Sequence, residues 1–168
     1  MEILDLGPLT DRQRSQLEGD ERDPFDSAGV TLQFRRKSRH VAICEDGRLI
    51  ASAGLTSAEV AVDGERFDVV GLGGVIVSAA HRRQGLARRV VEEALVRARA
   101  MGPSFAILFC HADRVGLYDR VGFHEITSEV VVEQPEGFEP IILRTMWCAL
   151  EPGAAWPPGA VTVHGLPF

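Results

Sequence analysis

The chain has 168 residues, with 24 acidic against 18 basic side chains, a formal net charge of −6 and 45% hydrophobic residues. This length suits one domain with its own core, and the negative charge argues against a nucleic-acid binder, which would carry a basic face. The sequence has no run of about 18 apolar residues, so it predicts no membrane span. The first residues are acidic and have no apolar signal region, and we therefore expect a cytoplasmic protein.

The pattern of apolar residues and turn residues predicts a mixed α/β chain without internal repeats. Thr10 and Gln13 form a capping pair at the start of a helix, Asp-Gly pairs at 46–47 and 63–64 predict tight hairpin turns, and Gly102 followed by proline ends a long helix. The predicted elements are a strand over 1–4, a helix over 10–19, a short segment of some helical character between Pro24 and Gly29, strands over 40–44, 49–62 and 67–77, a helix over 84–100, a strand over 105–110, a short helix around Tyr118 that ends at Gly122, and a final pair of strands over 126–132 and 141–149.

The most informative stretch is 73–90, where an apolar run stops at a basic, glycine-containing turn that opens the long helix. Turn residues 82–87 can direct successive backbone N–H groups to one point, where the positive end of the helix dipole attracts an anion. Gly85 and Ala87 are small, so phosphate oxygens can approach the backbone closely. The turn predicts a pyrophosphate-binding loop, although a polar strand-to-helix connection uses the same residue types.

In Arg82, Gly85 and Ala87 the turn resembles the acetyl-CoA loop of the GCN5-related N-acetyltransferases, which reads Arg or Gln, two residues, Gly, one residue, then Gly or Ala. Downstream, the apolar run 105–110 and the segment 114–123 resemble that family's next strand, helix and Tyr-x-x-x-Gly-Phe element. Two motifs in the right order are more specific than either alone. The resemblance implies an α/β fold whose mixed, mostly antiparallel sheet has about six or seven strands, is flanked by about four helices, and is splayed at the acetyl-CoA strand.

The resemblance also implies the residues that bind acetyl-CoA and transfer its acetyl group. The strand before the turn would offer backbone groups to the pantetheine arm and to the thioester carbonyl. The expected coenzyme-binding residues are Val75, Ile76, Val77, Arg82, Arg83, Gln84, Gly85, Leu86, Ala87 and Arg88. Tyr118 falls where the family keeps the tyrosine that faces the coenzyme sulfur, and its hydroxyl is the natural acid for the departing thiolate. Packing against the inner face of its helix is the other role open to this ring.

The end of the chain is similar to that of the aminoglycoside 2'-N-acetyltransferases and the nodulation-factor N-acyltransferases. The pattern is a strand ending in Met146-Trp-Cys148, a Pro/Gly-rich stretch, and the terminus Gly165-Leu-Pro-Phe168. The resemblance implies a transferase domain over 1–150, with 151–168 as an extension packed on the same domain, either as an edge strand or wrap over a core patch or as a segment that reaches the substrate. In the second case the Phe168 carboxylate is a candidate ligand for the acceptor amine.

The general base is missing from its expected place. The aminoglycoside enzymes carry a glutamate two residues before the apolar triplet of the coenzyme strand, where this chain has Gly73. The substitutes that stay open are His111, Asp26, a water held by backbone carbonyls, and the Phe168 carboxylate. Histidine titrates near neutrality, which suits a base. His111 also stands where many relatives place an asparagine beside the coenzyme, so a hydrogen-bonding role is equally open.

The acidic segment 18–26 bears on the acceptor. It is either a solvated helix end or a set of carboxylates that attracts a cationic acceptor, with Asp23 and Asp26 the first candidates. We expect an acetyl-CoA-dependent N-acetyltransferase that acts by direct attack on a primary amine of a small, cationic or amino-sugar-like molecule. The alternatives are an acyl-CoA-binding sensor with decayed catalysis, which Gly73 would fit, and acetylation of a protein N-terminus or lysine.

The remaining signals are weaker. Cys44, Cys110 and Cys148 are widely spaced in apolar runs, which indicates buried thiols rather than disulfides or a zinc site, and the scattered histidines imply no metal. Lysine occurs once, as Lys37, which we attribute to codon bias. Edge strands would permit a homodimer.

Overall fold

The computed structural model describes residues 1–168 and contains one ten-stranded sheet and three α-helices. The strands are β1 (Glu2–Leu6), β2 (Arg39–Glu45), β3 (Arg48–Val62), β4 (Glu65–Val77), β5 (Phe105–Cys110), β6 (His124–Glu125), β7 (Val130–Gln134), β8 (Gly137–Pro140), β9 (Arg144–Ala149) and β10 (Val161–His164). The helices are α1 (Asp11–Glu18), α2 (Leu86–Arg99) and α3 (Val115–Asp119), with 3-10 turns at Ala79–His81 and Ala112–Arg114. No helix is both long and apolar enough to span a bilayer.

Strands β2, β3 and β4 form the antiparallel meander that the two Asp-Gly turns predict. Asp46 and Gly47 have φ of +49° and +74°, and Asp63 and Gly64 have +47° and +82°. Two successive left-handed residues make a type I′ turn, whose twist matches that of paired strands. The turn residues therefore set the register of the longest pairing in the sheet, which runs from Ala51 opposite Val77 to Val62 opposite Glu65.

The C-terminal strand β10 lies inside the sheet, whose order is β6-β9-β5-β4-β3-β10-β7-β8, with β1 and β2 continuing beside β3. The expectation of an edge strand is therefore wrong. Strand β3 is 15 residues long, and β2 pairs only with residues 48–55 of it. Residues 59–62 of β3 have no partner on that edge from β2, and β10 pairs with them there. An open strand edge carries N–H and C=O groups that another strand can pair with.

The two final strands predicted over 126–132 and 141–149 are present in part, as β7 and β9. Residues 126–132 and 141–149 do not pair with each other: β7 pairs with β8 and β10, whereas β9 pairs with β5 and β6. The β7–β8 hairpin turns at Pro135 and Glu136. All four residues of β8 are exposed, so no alternation of polar and apolar residues marks it in the sequence.

The helices follow their sequence signals except at one place. Thr10 and Gln13 form the predicted capping box on α1, and α2 buries its apolar face, including Val90 and Ala94, on the sheet. The segment between Pro24 and Gly29 is not helical. The structure therefore has fewer helices than expected, and the short strands β6 and β8 give it more strands than expected.

The core lies on both faces of the sheet. On one face α2 covers β2 to β5, and on the other the C-terminal segment covers a second apolar cluster. There the Trp156 ring lies 5.2 Å from Phe105 and 5.5 Å from Phe67, centre to centre, in edge-on geometry. Edge-on aromatic pairs add to the stabilisation from burial, so Trp156 packs the C-terminal segment against the sheet, although most of residues 151–160 are exposed or half-buried.

Truncating a core side chain of β10 tests whether this strand stabilises the fold. Val163 is fully buried between β3 and β7, whereas its neighbour Thr162 is half-buried. We expect Val163→Ala to lower the free energy of unfolding by roughly 2 kcal/mol, because lost burial and a residual cavity both destabilise. The measurement is the urea midpoint at unchanged m value, with Thr162→Ala as the matched control. Equal effects of the two changes would contradict a structural role for β10.

Candidate active site

Strands β4 and β5 separate part-way along their length. Their parallel pairing runs only from Val70 opposite Ala106 to Leu72 opposite Leu108. Just beyond it, the β3–β4 register shifts by one residue, and Gly74, with φ of +59°, lies in the extra position. A bulge bends the strand that carries it, so the edge of β4 over residues 73–77 that faces β5 has no strand partner.

A cavity of about 340 Å³ lies at this opening. Its walls come from residues 24–37, from β4 residues 72–75, from residues 109–118 at the end of β5 and in α3, and from Leu143 and Phe168. Most lining residues are apolar. The cavity therefore combines a mostly apolar lining with the unpaired backbone groups of a strand edge. Small-molecule sites usually have an apolar lining with a few polar groups.

Tyr118, the only tyrosine, lines the cavity. Its side chain is 8% exposed and its ring packs edge-on against Phe123 at 5.9 Å. Burial, with a smaller contribution from Cys110, raises the pKa of the phenol, and no hydrogen bond within the chain engages it. The hydroxyl is therefore protonated at neutral pH and free to donate. The ring is a core residue that also lines the cavity, and the role of its hydroxyl as an acid stays a prediction.

Cys110 lies beside Tyr118 in the cavity wall. All three cysteines are free and buried, as predicted. Burial, helped by the charges of Glu125 and Asp113, raises the pKa of the Cys110 thiol to about 11. A neutral thiol is a poor nucleophile, so Cys110 contributes apolar lining rather than chemistry.

His111 joins the end of β5 to the loop that follows α1. Its Nε2 lies 2.6 Å from the main-chain oxygen of Asp26. A carbonyl oxygen can only accept, so Nε2 carries the proton of that hydrogen bond. In the neutral ring the other nitrogen, Nδ1, is then the one that accepts a proton.

Gly73 has no room for a side chain. A Cβ there would lie 2.8 Å from the main-chain carbonyl carbon of Phe168 and 2.9 Å from Lys37 Cε, and a Cβ on Gly71 would lie 2.5 Å from Cγ of the Phe168 ring. The ring is buried and lies 5.1 Å from that of Phe109. The main chain of Phe168 therefore occupies the space of a residue-73 side chain, which explains why the expected glutamate is absent.

Arg35 forms hydrogen bonds to the C-terminal segment beside the cavity. Its main-chain N–H donates to the carbonyl of Pro167 at 2.7 Å, and its guanidinium donates to the carbonyls of Leu166 and, at 2.8 Å, of His164. The guanidinium carbon also lies 5.7 Å from the centre of the Phe168 ring, within cation–π range. Sequence reasoning assigned Arg35 no role.

The two acidic residues chosen for the acceptor stand beside the cavity rather than in its lining. The Asp23 carboxylate accepts from the Ser27 amide at 2.8 Å, the Ser27 hydroxyl at 2.7 Å and the Ala28 amide at 2.8 Å. These hydrogen bonds, led by the one from the Ser27 amide, lower the pKa of Asp23. The carboxylate thus shapes the loop, and Asp26 reaches His111 through its main chain.

The coenzyme loop predicted from the sequence has the conformation of an anion site. Arg83 and Gly85 have φ of +63° and +78°, and Gly85 caps α2 without a side-chain hydrogen bond. The amides over residues 83–88 donate to no backbone acceptor. Unpaired amides at the start of a helix suit phosphate oxygens, so the residues present fit the pyrophosphate of a coenzyme.

Arg82 precedes those amides and is held in place by two contacts. Its guanidinium pairs with Glu21 at 2.6 Å and donates to the Val77 carbonyl at 3.1 Å. The side chains of Ile76 and Leu86 are buried in the core, so only their main-chain groups can face a ligand. No group of three or more His, Cys, Asp or Glu side chains is arranged as a metal site.

Sequence reasoning missed several wall residues, chiefly Lys37, Phe34 and Leu143. Phe34 and Leu143 lie in connecting segments and carry no motif. Lys37 did have a signal, because it is the only lysine among 18 lysine and arginine residues. A single lysine in an arginine-rich chain can mark a position where a flexible point charge is required.

Comparison with known proteins agrees with this geometry. The chain matches a family model described as "Acetyltransferase (GNAT) domain" over residues 20–126, and no curated protein matches it significantly in sequence. It is similar in fold to YhbS of Escherichia coli, solved in complex with CoA (TM-score 0.62, 21% identity, 99% of this chain and 96% of the other). It is also similar to the ribosomal-protein-S18-alanine N-acetyltransferase of E. coli (0.54, 18%, 92% and 100%) and to yncA of Salmonella typhimurium, a putative acetyltransferase solved with acetyl-CoA (0.55, 15%, 94% and 99%).

These identities support a shared fold, whereas the family model spans more than half of the chain. The separation of β4 from β5 and the turn that opens α2 both lie within the matched residues. The chain therefore belongs to the GNAT family and is an acyl-CoA-dependent N-acetyltransferase.

Proposed function

We propose that this enzyme transfers the acetyl group of acetyl-CoA to a primary amine of a small molecule, by direct attack in a ternary complex. The observation that carries the proposal is the cavity at the β4–β5 opening, which Tyr118 and residues of the unpaired edge of β4 line together. The structures of YhbS with CoA and of yncA with acetyl-CoA support the choice of coenzyme.

In this proposal the coenzyme lies along the path from the α2 turn to the cavity. The amides of residues 83–88 bind the pyrophosphate, and Arg82 exchanges its partner Glu21 for a phosphate oxygen. The free edge of β4 from Val75 to Val77 hydrogen-bonds the pantetheine arm and polarises the thioester carbonyl. The acetyl group then reaches the cavity beside Gly73, where an amine can approach.

The chemistry needs one proton acceptor and one proton donor. The amine nitrogen attacks the thioester carbonyl carbon, the C–N bond forms, and the C–S bond breaks with its electron pair on sulfur. His111 accepts the amine proton through Nδ1, since Nε2 is occupied by Asp26. Tyr118 gives its hydroxyl proton to the thiolate and is reprotonated from solvent. The Phe168 main-chain oxygen beside Gly73 accepts a hydrogen bond from the amine and orients it.

The closer resemblance to the aminoglycoside and nodulation branch is supported by the position of Phe168 at the cavity. An amino-sugar or other cationic acceptor remains the sequence prediction, with Asp23 and Asp26 as its ligands. The engagement of the Asp23 carboxylate within its own loop weighs against that role. A small acceptor is favoured over a peptide because the cavity, lined by residues from 24–37 and by Phe168, has a volume of about 340 Å³, which suits a small molecule.

Residues 1–150 and 151–168 form one domain in this proposal, because β10 lies beside β3 and Phe168 lines the cavity. A homodimer stays a prediction. One sheet edge open to a partner is β8, which ends the strand order and is exposed along its length.

A side chain at Gly85 tests the pyrophosphate site. We expect Gly85→Val to weaken acetyl-CoA binding at least tenfold in calorimetric titration, because the side chain would occupy the approach of the phosphate and strain the left-handed backbone. Gly64→Val is the matched control, since Gly64 has a similar φ of +82° in a distant hairpin and equally open surroundings. Equal coenzyme affinity in the two variants would contradict the loop assignment.

Removing the hydroxyl of Tyr118 tests the acid. Tyr118→Phe keeps the packed ring, so we expect acetyl-CoA affinity to stay within about twofold while kcat falls by roughly 10²-fold. The measurement is thiol release at saturating coenzyme and acceptor, beside calorimetry on the same protein. An unchanged kcat would leave Tyr118 as a packing residue only.

Replacing the imidazole of His111 tests the base. His111→Gln can keep an amide N–H toward the Asp26 carbonyl while losing the proton-accepting nitrogen, so we expect the loop to stay in place and kcat to fall at least tenfold. Acetyl-CoA titration of the variant checks that the cavity wall is intact. Full activity in the variant would assign the base to another group, such as the Asp26 carboxylate or a bound water.

A further inference from the structure

The charged lining of the cavity differs from the surface of the molecule. The whole chain carries a net charge of −6, yet no aspartate or glutamate lines the cavity. Its side chains that carry or can gain positive charge are Lys37, His111 and Arg114. Acidic side chains would attract a purely cationic acceptor, whereas lysine and arginine repel it.

Among the basic groups of the cavity, Lys37 packs against glycines of the sheet. A Cβ on Gly54 would lie 2.5 Å from Lys37 Cγ, and one on Gly73 would lie 2.9 Å from Lys37 Cε. The stem of Lys37 thus lies across two residues of the β3–β4 pair that have no side chains of their own. The side chain therefore runs from β3 across to Gly73 of β4, where the proposed function places the acetyl group and the amine.

The ammonium group of Lys37 has no acidic side-chain partner. None of the ion pairs of the structure includes it. Burial lowers its pKa, and the neighbouring Arg35 adds to the effect. A half-buried cation without an acidic side-chain partner is costly unless another group supplies the negative charge.

The rest of the wall is apolar. Phe25 and Phe34 line the cavity and remain 44% and 37% exposed at its mouth, while Leu143 and the rings of Phe109 and Phe168 line it further in. Aromatic and aliphatic walls favour an apolar body in the ligand. The cavity thus offers a fixed positive charge and an apolar surface to the acceptor.

We infer that the acceptor is a primary amine that also carries a carboxylate and an apolar body, the chemical class of the hydrophobic amino acids, and that Lys37 binds the carboxylate. The inference rests on the proposed function, because it identifies the acceptor of the same site. The carboxylate neutralises Lys37 while the amine lies beside Gly73 and the Phe168 main-chain oxygen. The apolar side chain of the acceptor packs against the phenylalanines at the mouth.

Matched acceptors test the carboxylate. The rate of thiol release from acetyl-CoA is measured with L-phenylalanine against phenethylamine, and with L-leucine against 3-methylbutylamine. Each rate is divided by the fraction of the amine that is neutral at the assay pH, so that differences in amine pKa do not enter the comparison. We expect the enzyme to prefer each amino acid over its decarboxylated partner by about tenfold to hundredfold in kcat/KM, since a charge-assisted hydrogen bond accounts for that range. Equal use of the paired acceptors, or preference for an aminoglycoside or spermidine, would overturn the inference and leave the transferase intact.

Variants of Lys37 assign the preference to its charge. We expect Lys37→Met to lower kcat/KM at least tenfold for L-phenylalanine and much less for phenethylamine, and Lys37→Arg to restore most of the preference. Arg36→Met is the control, because Arg36 is exposed and does not line the cavity. Equal losses with both acceptors in Lys37→Met would make Lys37 a packing residue and overturn the inference.

Coenzyme titration separates the two levels of failure. Acetyl-CoA binding without thiol release from any acceptor would overturn the proposed function and this inference together. Thiol release that requires an amine but is indifferent to the carboxylate would overturn the inference alone.

Discussion

The site depends on the separation of β4 from β5 after Leu72. While the strands are paired, their backbone groups are satisfied by each other, and no ligand can bind between them. The bulge at Gly74 lies where that pairing ends and leaves a free, partly buried strand edge beside the cavity. Unpaired backbone groups in such a place are costly unless a ligand with amides of its own meets them, and the pantetheine arm is such a ligand.

The glycines of β4 have a second consequence, because they set what can stand opposite the free edge. Gly71 receives the ring of Phe168, and Gly73 receives its main chain together with the end of the Lys37 stem. The C-terminal segment reaches this place because β3 is longer than β2 and leaves room for β10. Arg35 then fixes the last turn of the chain through main-chain carbonyls. The acceptor side of the site is therefore built from residues more than 100 positions apart.

The parts that sequence reasoning predicted are those with local causes. Asp-Gly turns, the capping box at Thr10 and the amphipathic face of α2 are determined by neighbours in sequence, and the structure has each of them. The anion-binding turn is local in the same sense. What could not be predicted is set by distant pairing: β10 entered the sheet because an unrelated strand left an edge free, and β8 pairs although all its residues are exposed.

The residues of the candidate site also divide into those with local sequence signals and those placed by long-range contacts. Tyr118 and His111 were found because a motif places them after β5, whereas Lys37 and Arg35 belong to a segment without regular structure, whose position is fixed only by contact with the folded tail. In the sequence, Gly73 suggested that a catalytic glutamate had been lost. In the structure, the main chain of Phe168 and the end of the Lys37 stem occupy the space of a side chain at residue 73. A missing side chain at a functional position therefore argues for decayed activity only after the groups that occupy its space have been identified.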